Sequence, residues 1–217
     1  MDWYPRTFIG FTDECFLTAT GEYEGGVKSF AVGAGSQVIS APVLDPTRAG
    51  LLSMDVGNAG RAGFTNTQDA VSADYGPWLF QTAVAFPTAS TAAQTFTMVM
   101  GFRDTQATAV AVNGVYWRKT GSGNWTFVTV NGGVETTTLT VDPTPGFAQF
   151  SRFEIRWNSP TEAQGFIDDI LVATHATNIP QFSFCHPAAI YKTNGNQLRS
   201  LYIDWYRYTM DLTLNPR

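Results

Sequence analysis

The sequence predicts an all-β sandwich or jelly roll, and three observations predict it. Several segments alternate apolar and polar residues with a period of two. Clusters of Gly, Pro, Asn and Asp separate these segments at short, regular intervals. No stretch of 12 residues carries a helical period. A strand with one apolar face needs a second layer to cover that face, so many short strands in one chain point to two packed antiparallel sheets.

The elements follow in order. Several short apolar runs precede residue 65, and residues 78–86 form a longer strand candidate. In TFTMVMGF, Phe96, Met98, Met100 and Phe102 share one face. In VYWRK, Val115 and Trp117 oppose Tyr116 and Arg118. Residues 125–130 and 134–140 are the next two candidates. FSRFEIRW sets Phe153, Ile155 and Trp157 against Arg152, Glu154 and Arg156. After 181–192, LYIDWYRY sets Leu201, Ile203 and Trp205 against Tyr202, Asp204 and Tyr206. Turn residues punctuate the series at Asn113-Gly114, Gly121-Ser122-Gly123, Asn131-Gly132-Gly133, Asp142-Pro143, Ser159-Pro160 and Asn194-Gly195.

The stretch FIDDILVATHATNIP, residues 166–180, raises a separate question, because two acids and a histidine are the makings of a metal or catalytic site. The local pattern favours a turn. Phe166-Ile167 closes one strand, Ile170–Thr174 opens the next, and Asp168-Asp169 is left as a two-residue hairpin loop. Such loops need positive φ at both central residues, which Asp tolerates better than most residues though less well than Gly. His175 falls on the face of Leu171 and Ala173 and is expected to be a hydrogen-bonded histidine at a strand end.

Composition narrows the function. With 217 residues, 44% of them apolar and 14% charged, the chain can bury a large core and is expected to form one domain over 1–217. A net charge of −5, without a basic cluster, argues against nucleic acid or anionic lipid as the main partner. No apolar run approaches the ~20 residues of a membrane helix, and no signal-peptide pattern opens the chain. Synthesis and folding in a cytoplasm are expected. Accordingly Asn124-Trp125-Thr126 is expected to go unglycosylated, and Cys15 and Cys185 are expected as buried thiols, with one bridge between them as the alternative.

The chain also resembles phage and prophage proteins built on a concanavalin A-like lectin/glucanase jelly roll. The resemblance rests on LVATHATNIP (171–180), DECFL (13–17), APVLDPTRAGLLSMDVGNAGRAGF (41–64), GFRDT (101–105), NGVYWR (113–118), NWTFVTVNGGVETTT (124–138) and LYIDWYRY (201–208). These motifs occur in the family's order from about residue 13 to residue 208. Asp169 replaces the usual turn glycine, and Ala41-Pro42-Val43 replaces the usual His-Pro-Gly. The fold implied is a jelly-roll β-sandwich of two antiparallel sheets. Function does not follow from it directly, because sites are grafted onto folds.

Enzyme chemistry finds little support in the residues. Glucanases of this superfamily carry a motif resembling E-x-D-x-x-E, whose two carboxyls lie roughly 5 Å apart in retaining enzymes. The six glutamates are Glu14, Glu22, Glu24, Glu135, Glu154 and Glu162, and none forms that motif. Glu22 and Glu24 sit beside Gly25-Gly26 in an expected loop, and Glu154 between Arg152 and Arg156 is expected as a surface ion pair. There is no G-x-S-x-G elbow, and Cys185 and His186, as neighbours on a strand, point to opposite faces. Two Cys and two His are too few for a zinc site. Calcium is a weaker alternative through Asp104, Asp142 or Asp204, without a D-x-D-x-D-G loop.

Binding is the stronger expectation. Tyr116, Trp117, Trp125, Tyr202 and Tyr206 are the candidates for an exposed platform that contacts a glycan or a partner protein. Trp157 and Trp205 are expected in the core, and Tyr202, Tyr206 and Tyr208 on the accessible face with Asp204. The resemblance implies a non-enzymatic protein on a bacteriophage virion surface. Because the chain enters the resemblance by about residue 13, a shaft-bearing fibre is disfavoured. A capsid decoration protein is expected, acting on coat or tail subunits and on its own copies as a homo-oligomer. The alternative is a tail-associated, host-glycan-binding lectin-like module, and the third is a polysaccharide-active enzyme.

Overall fold

The computed structural model describes residues 8–13, 28–40, 52–65, 70–72, 77–86, 91–140 and 150–211. Every regular element among them is a strand: β1 (Phe8–Asp13), β2 (Lys28–Val32), β3 (Gln37–Ser40), β4 (Leu52–Val56), β5 (Gly60–Thr65), β6 (Ala70–Ser72), β7 (Trp78–Ala85), β8 (Phe96–Arg103), β9 (Gly114–Thr120), β10 (Trp125–Asn131), β11 (Val134–Leu139), β12 (Ser151–Ser159), β13 (Glu162–Ile167), β14 (Ile170–His175), β15 (Phe182–Lys192) and β16 (Arg199–Asp211). All pairings are antiparallel. The first sheet runs β14-β13-β12-β7-β16-β4-β3, with β1 also on β16. The second runs β11-β10-β9-β8-β15-β5-β2, with β6 on β15. Cys15, Asp142, Glu14, Glu22 and Glu24, and the side chains of Cys185 and His186, lie outside the described residues.

The alternating residues meet between the sheets. Phe153, Ile155 and Trp157 from β12 face Phe96, Met98, Met100 and Phe102 from β8 and Trp117 from β9 in one continuous core. Its centre is a group of rings. Trp117 lies 5.1 Å from Phe127 and 5.5 Å from Phe153, and Trp125 lies 4.5 Å from Phe153, centroid to centroid. Removing one such ring costs about 3–5 kcal/mol. The packing explains Gly165 on β13, where an added Cβ would sit 2.6 Å from the Phe127 ring and 2.8 Å from the Trp117 ring. A glycine inside a strand here marks a close approach from the opposite sheet.

One strand departs from simple alternation. In β16 the pairing with β7 passes from Ile203↔Val84 to Trp205↔Ala83, leaving Asp204 as the extra residue of a bulge. The parity of everything after it inverts. Tyr206 and Tyr208 enter the core, at 1% and 3% exposure. Trp205, expected in the core, pairs instead with Ala83 on the outer face and is half-buried. The bulge is held in part by the Thr82 hydroxyl, which donates to the Trp205 carbonyl at 3.0 Å.

The LVATHATNIP stretch joins the two sheets at their outermost strands. His175 on β14 is buried, packs tilted against the Phe127 ring at 4.9 Å between centroids, and has both ring nitrogens engaged. Nδ1 lies 3.0 Å from Thr129 Oγ1 and Nε2 lies 2.9 Å from Thr138 Oγ1. The single Thr129 hydroxyl proton goes to the Thr177 carbonyl at 3.0 Å. Thr129 therefore accepts from His175, which puts the imidazole proton on Nδ1 and leaves Nε2 to accept from Thr138. Thr177 Oγ1 meets Thr136 Oγ1 at 2.7 Å, and Asn178 Nδ2 donates to Thr136 Oγ1 at 3.0 Å. A satisfied neutral histidine tying β14 to β10 and β11 is what this motif builds.

Asp168 and Asp169 form the β13–β14 turn, with φ of 48° and 68°. Asp168 also extends the sheet: its N–H donates to the Arg152 carbonyl at 2.8 Å, and its Oδ1 accepts from the Arg152 N–H at 2.7 Å. Asp169 is ion-paired with the Arg152 guanidinium. Exposed pairs of this kind contribute at most about 1 kcal/mol. The double variant Asp168→Asn/Asp169→Gly keeps the acceptor and relieves positive φ. Its urea midpoint is expected to equal or slightly exceed that of the wild type, and a loss of more than about 1 kcal/mol would show that the two carboxylates do more than turn the chain.

Burial pushes the His175 pKa below the usual 6.5. As pH falls below about 6.5, the unfolded chain takes up the proton first, so the His175 contribution to stability is complete above that pH and declines toward the lower folded value. Urea unfolding at about pH 7.5 and about pH 5 is expected to show a larger loss for the wild type than for His175→Gln. Equal losses would show that His175 does not titrate in this way.

Candidate functional site

Four of the five aromatic residues expected on an exposed platform are buried. Trp117 and Trp125 belong to the central ring cluster, and Tyr206 joins the core through the β16 bulge. Tyr116 does face outward from the second sheet, yet it is fully buried. Its ring lies 5.3 Å from the Arg103 guanidinium and 5.9 Å from that of Arg118. Arg118 in turn pairs with Glu135 through two bonds of 2.7 and 2.8 Å, holding that carboxyl below its usual range, while burial raises the Tyr116 pKa. Alternation assigned the faces of β9 correctly, setting Val115 and Trp117 against Tyr116 and Arg118, but the packing over each face lies outside what alternation can read. Tyr202 alone of the five stays half-exposed.

The outer face of the first sheet carries a different constellation. Register aligns Phe166 on β13, Glu154 on β12, Gln81 on β7 and Arg207 on β16 in one row across four strands. At a strand spacing of about 4.8 Å the row spans about 14 Å. Arg207 Nη2 donates to Gln81 Oε1 at 2.7 Å, and Gln81 Nε2 donates to Glu154 Oε2 at 2.5 Å. Arg156 Nε donates to Glu154 Oε1 at 2.5 Å, and its guanidinium lies 4.2 Å from the centre of the Phe166 ring. Glu154 is thus a nearly buried member of a row, and Arg152, its expected second partner, turns to Asp169 instead. Trp205 sits beside Arg207 in the neighbouring row with Ala83 and Arg152.

Farther along the same face, Tyr202 pairs with Ser53 on β4 and Ala85 on β7. The buried Asp55 accepts from Ser200 at 2.7 Å and from Ser53. Burial, and then the Asp55 charge, push the Tyr202 pKa up. The face therefore carries a row of hydrogen-bonding groups bordered by the half-buried Trp205 and Tyr202, with Phe166 buried under the Arg156 guanidinium. No sequence signal pointed to Trp205 or Gln81, since a bulge and a three-strand register set their positions.

Of the acids proposed for calcium, the two among the described residues, Asp104 beside β8 and Asp204 on β16, lie on different sheets. Both carboxylate oxygens of Asp104 accept N–H groups, from Val112 at 3.1 Å and from Asn113 at 2.8 Å, and Asn113 Nδ2 adds a third donor at 3.1 Å. Three donors aimed at one carboxylate suit a loop clasp and leave poor geometry for a cation. Asp204 stands in the other sheet, and no group of three or more His, Cys, Asp or Glu gathers among the described residues.

No protein-family model matches the chain. No curated protein matches it significantly. Solved structures do match over nearly its full length. A protein of unknown function from Shewanella oneidensis MR-1 aligns with a TM-score of 0.63 at 8% identity, over 97% of this chain and 89% of that one. The β-glucanase of Bacillus licheniformis aligns with a TM-score of 0.61 at 13% identity, over 92% and 97%. The carbohydrate recognition domain of Emp47p aligns with a TM-score of 0.60 at 11% identity, over 89% and 92%. At such identities the likeness is one of fold: the chain is a concanavalin A-like jelly-roll sandwich, the architecture of these glucanase and lectin domains.

Proposed function

We propose that the protein is a lectin-like binding module that holds carbohydrate on the outer face of its first sheet and performs no chemistry on it. The observation that carries the reading is the row Phe166–Glu154–Gln81–Arg207 with Trp205 beside it. Sugars present hydroxyl groups at their edges and C–H surfaces on their faces. A charge-assisted row of donors and acceptors suits the first, and flanking rings suit the second. The groups bonded to Glu154 are a guanidinium and an amide, whereas a retaining glycosidase sets a second carboxyl roughly 5 Å away. Structural likeness to a carbohydrate recognition domain supports the same reading.

A second reading, attachment to a phage virion surface, draws support from a different part of the molecule. β14 and β11 are the outermost strands of their sheets and are joined by the His175–Thr138 bond. Ile170 and Leu171 on β14, and Val134 and Leu139 on β11, are all at least half exposed. Open strand edges bearing aliphatic side chains are suited to contact with a coat subunit or with other copies of the chain. The two readings are compatible, since they use different surfaces.

A glycan array tests the first reading. The wild type is expected to bind a defined glycan, and Trp205→Ala to bind it about tenfold more weakly, ~1.4 kcal/mol, with unchanged melting temperature. Absence of any glycan ligand, or full affinity in the variant, would overturn it. For the second, sedimentation of the wild type is expected to show an oligomer that Ile170→Lys/Leu139→Lys dissociates, and immunogold labelling is expected to place the protein on purified particles. A monomeric wild type that is absent from particles would remove that reading.

A further inference from the structure

The segment 104–113 leaves β8, crosses the outer face of the second sheet and returns into β9. Asp104 closes its base, donating from its N–H to the Asn113 carbonyl at 3.0 Å while its carboxylate takes the Val112 and Asn113 N–H groups. Higher up, long side chains from three strands reach three consecutive carbonyls of the loop. The Tyr191 hydroxyl donates to Gln106 O at 3.1 Å, Arg61 Nη1 donates to Ala107 O at 2.6 Å, and Arg103 Nη2 donates to Thr108 O. The loop thereby stands off the sheet as a roof, and a cavity of about 360 Å³ lies at this site. Small residues border it: Ala107 and Ala109 line one side and Gly60 lies among the strand residues beneath.

The lining is mostly apolar and its charge has one sign. Arg61 and Lys192 both contribute, and no Asp or Glu does. Lys192 is committed elsewhere, its ammonium donating to the Gly57 and Gln197 carbonyls. Arg61 is the available cation: it lines the cavity, and of its guanidinium nitrogens Nη1 serves Ala107. A carboxylate is the anion whose geometry best matches a guanidinium that lines a mostly apolar cavity. The volume falls within the range of small-molecule sites, about 300–1,000 Å³. We propose that this cavity binds a small organic carboxylate, its anionic group on Arg61 and its apolar body between Ala109 and the Tyr191 ring. The site lies on the sheet opposite the carbohydrate-binding row and does not depend on that reading.

Fluorine NMR with two isosteric probes tests it. 4-(Trifluoromethyl)benzoate is expected to bind the wild type, and the neutral 4-(trifluoromethyl)benzamide to bind at least about tenfold more weakly. Arg61→Gln, which keeps an amide donor for the loop, is expected to bring the acid down to the level of the amide. Ala109→Phe, or Thr193→Trp at the exposed rim should the first variant fail to fold, is expected to abolish binding of both. Equal binding of acid and amide to the wild type, no binding of either at millimolar concentration, or binding that survives closure of the cavity would each overturn the proposal.

Discussion

The structure depends on the contact of Trp117, Phe127, Trp125 and Phe153 between the sheets. Rings 4.5 to 5.5 Å apart leave little freedom to slide, so this cluster fixes which β9 and β10 residues oppose which β12 residues. Gly165 on β13, a fourth strand of that neighbourhood, leaves room for the Phe127 and Trp117 rings. Once these faces are fixed, hydrogen bonding and the two-residue period determine the outward side chains wherever the register runs unbroken, and the β16 bulge resets them beyond Asp204. The row of Phe166, Glu154, Gln81 and Arg207 is therefore a consequence of core packing as much as of its own hydrogen bonds.

Both outer faces are built by the same alternation, yet they end in different states. On the first sheet, register lines up a guanidinium, an amide, a carboxylate and an aromatic ring, which bond to one another and leave Arg156 exposed at the row's edge. On the second sheet, the 104–113 loop covers the corresponding surface and produces a second, smaller apolar cluster around Val99, Tyr116 and Tyr191. Arg103 is the hinge of that arrangement. Fully buried, it lies 5.3 and 5.5 Å from the Tyr116 and Tyr191 rings, which stabilise its charge, and it spends a donor on the loop. A single loop thus borders a cavity on the second sheet, while the polar row lies on the strands of the first.

His175 shows how a residue with the chemistry of a ligand is retained for structure. Its two nitrogens are divided between a donor role toward Thr129 and an acceptor role from Thr138, so the neutral ring links strands at the ends of both sheets. Thr136, Thr177 and Asn178 complete the same junction. A polar junction at the rim, where the apolar core runs out, fixes the alignment of edge strands that have no further neighbour to hold them.

By itself the sequence determined the strands, the hairpin at Asp168-Asp169 and the inward faces of β8 and β12, because a period of two and the φ demands of turns are local properties. The LVATHATNIP motif likewise marked a hairpin and its satisfied histidine. Tertiary structure alone decided the rest. The bulge at Asp204 exchanged Trp205 with Tyr206 and Tyr208, since one extra residue inverts a two-residue period without leaving any trace in composition. The burial of Tyr116 came from the 104–113 loop and from Arg103 and Arg118 packing against its ring, contacts that strand alternation does not report. The row joining Phe166, Glu154, Gln81 and Arg207 exists only because antiparallel register brings together residues up to 126 positions apart, a long-range pairing that no local pattern encodes.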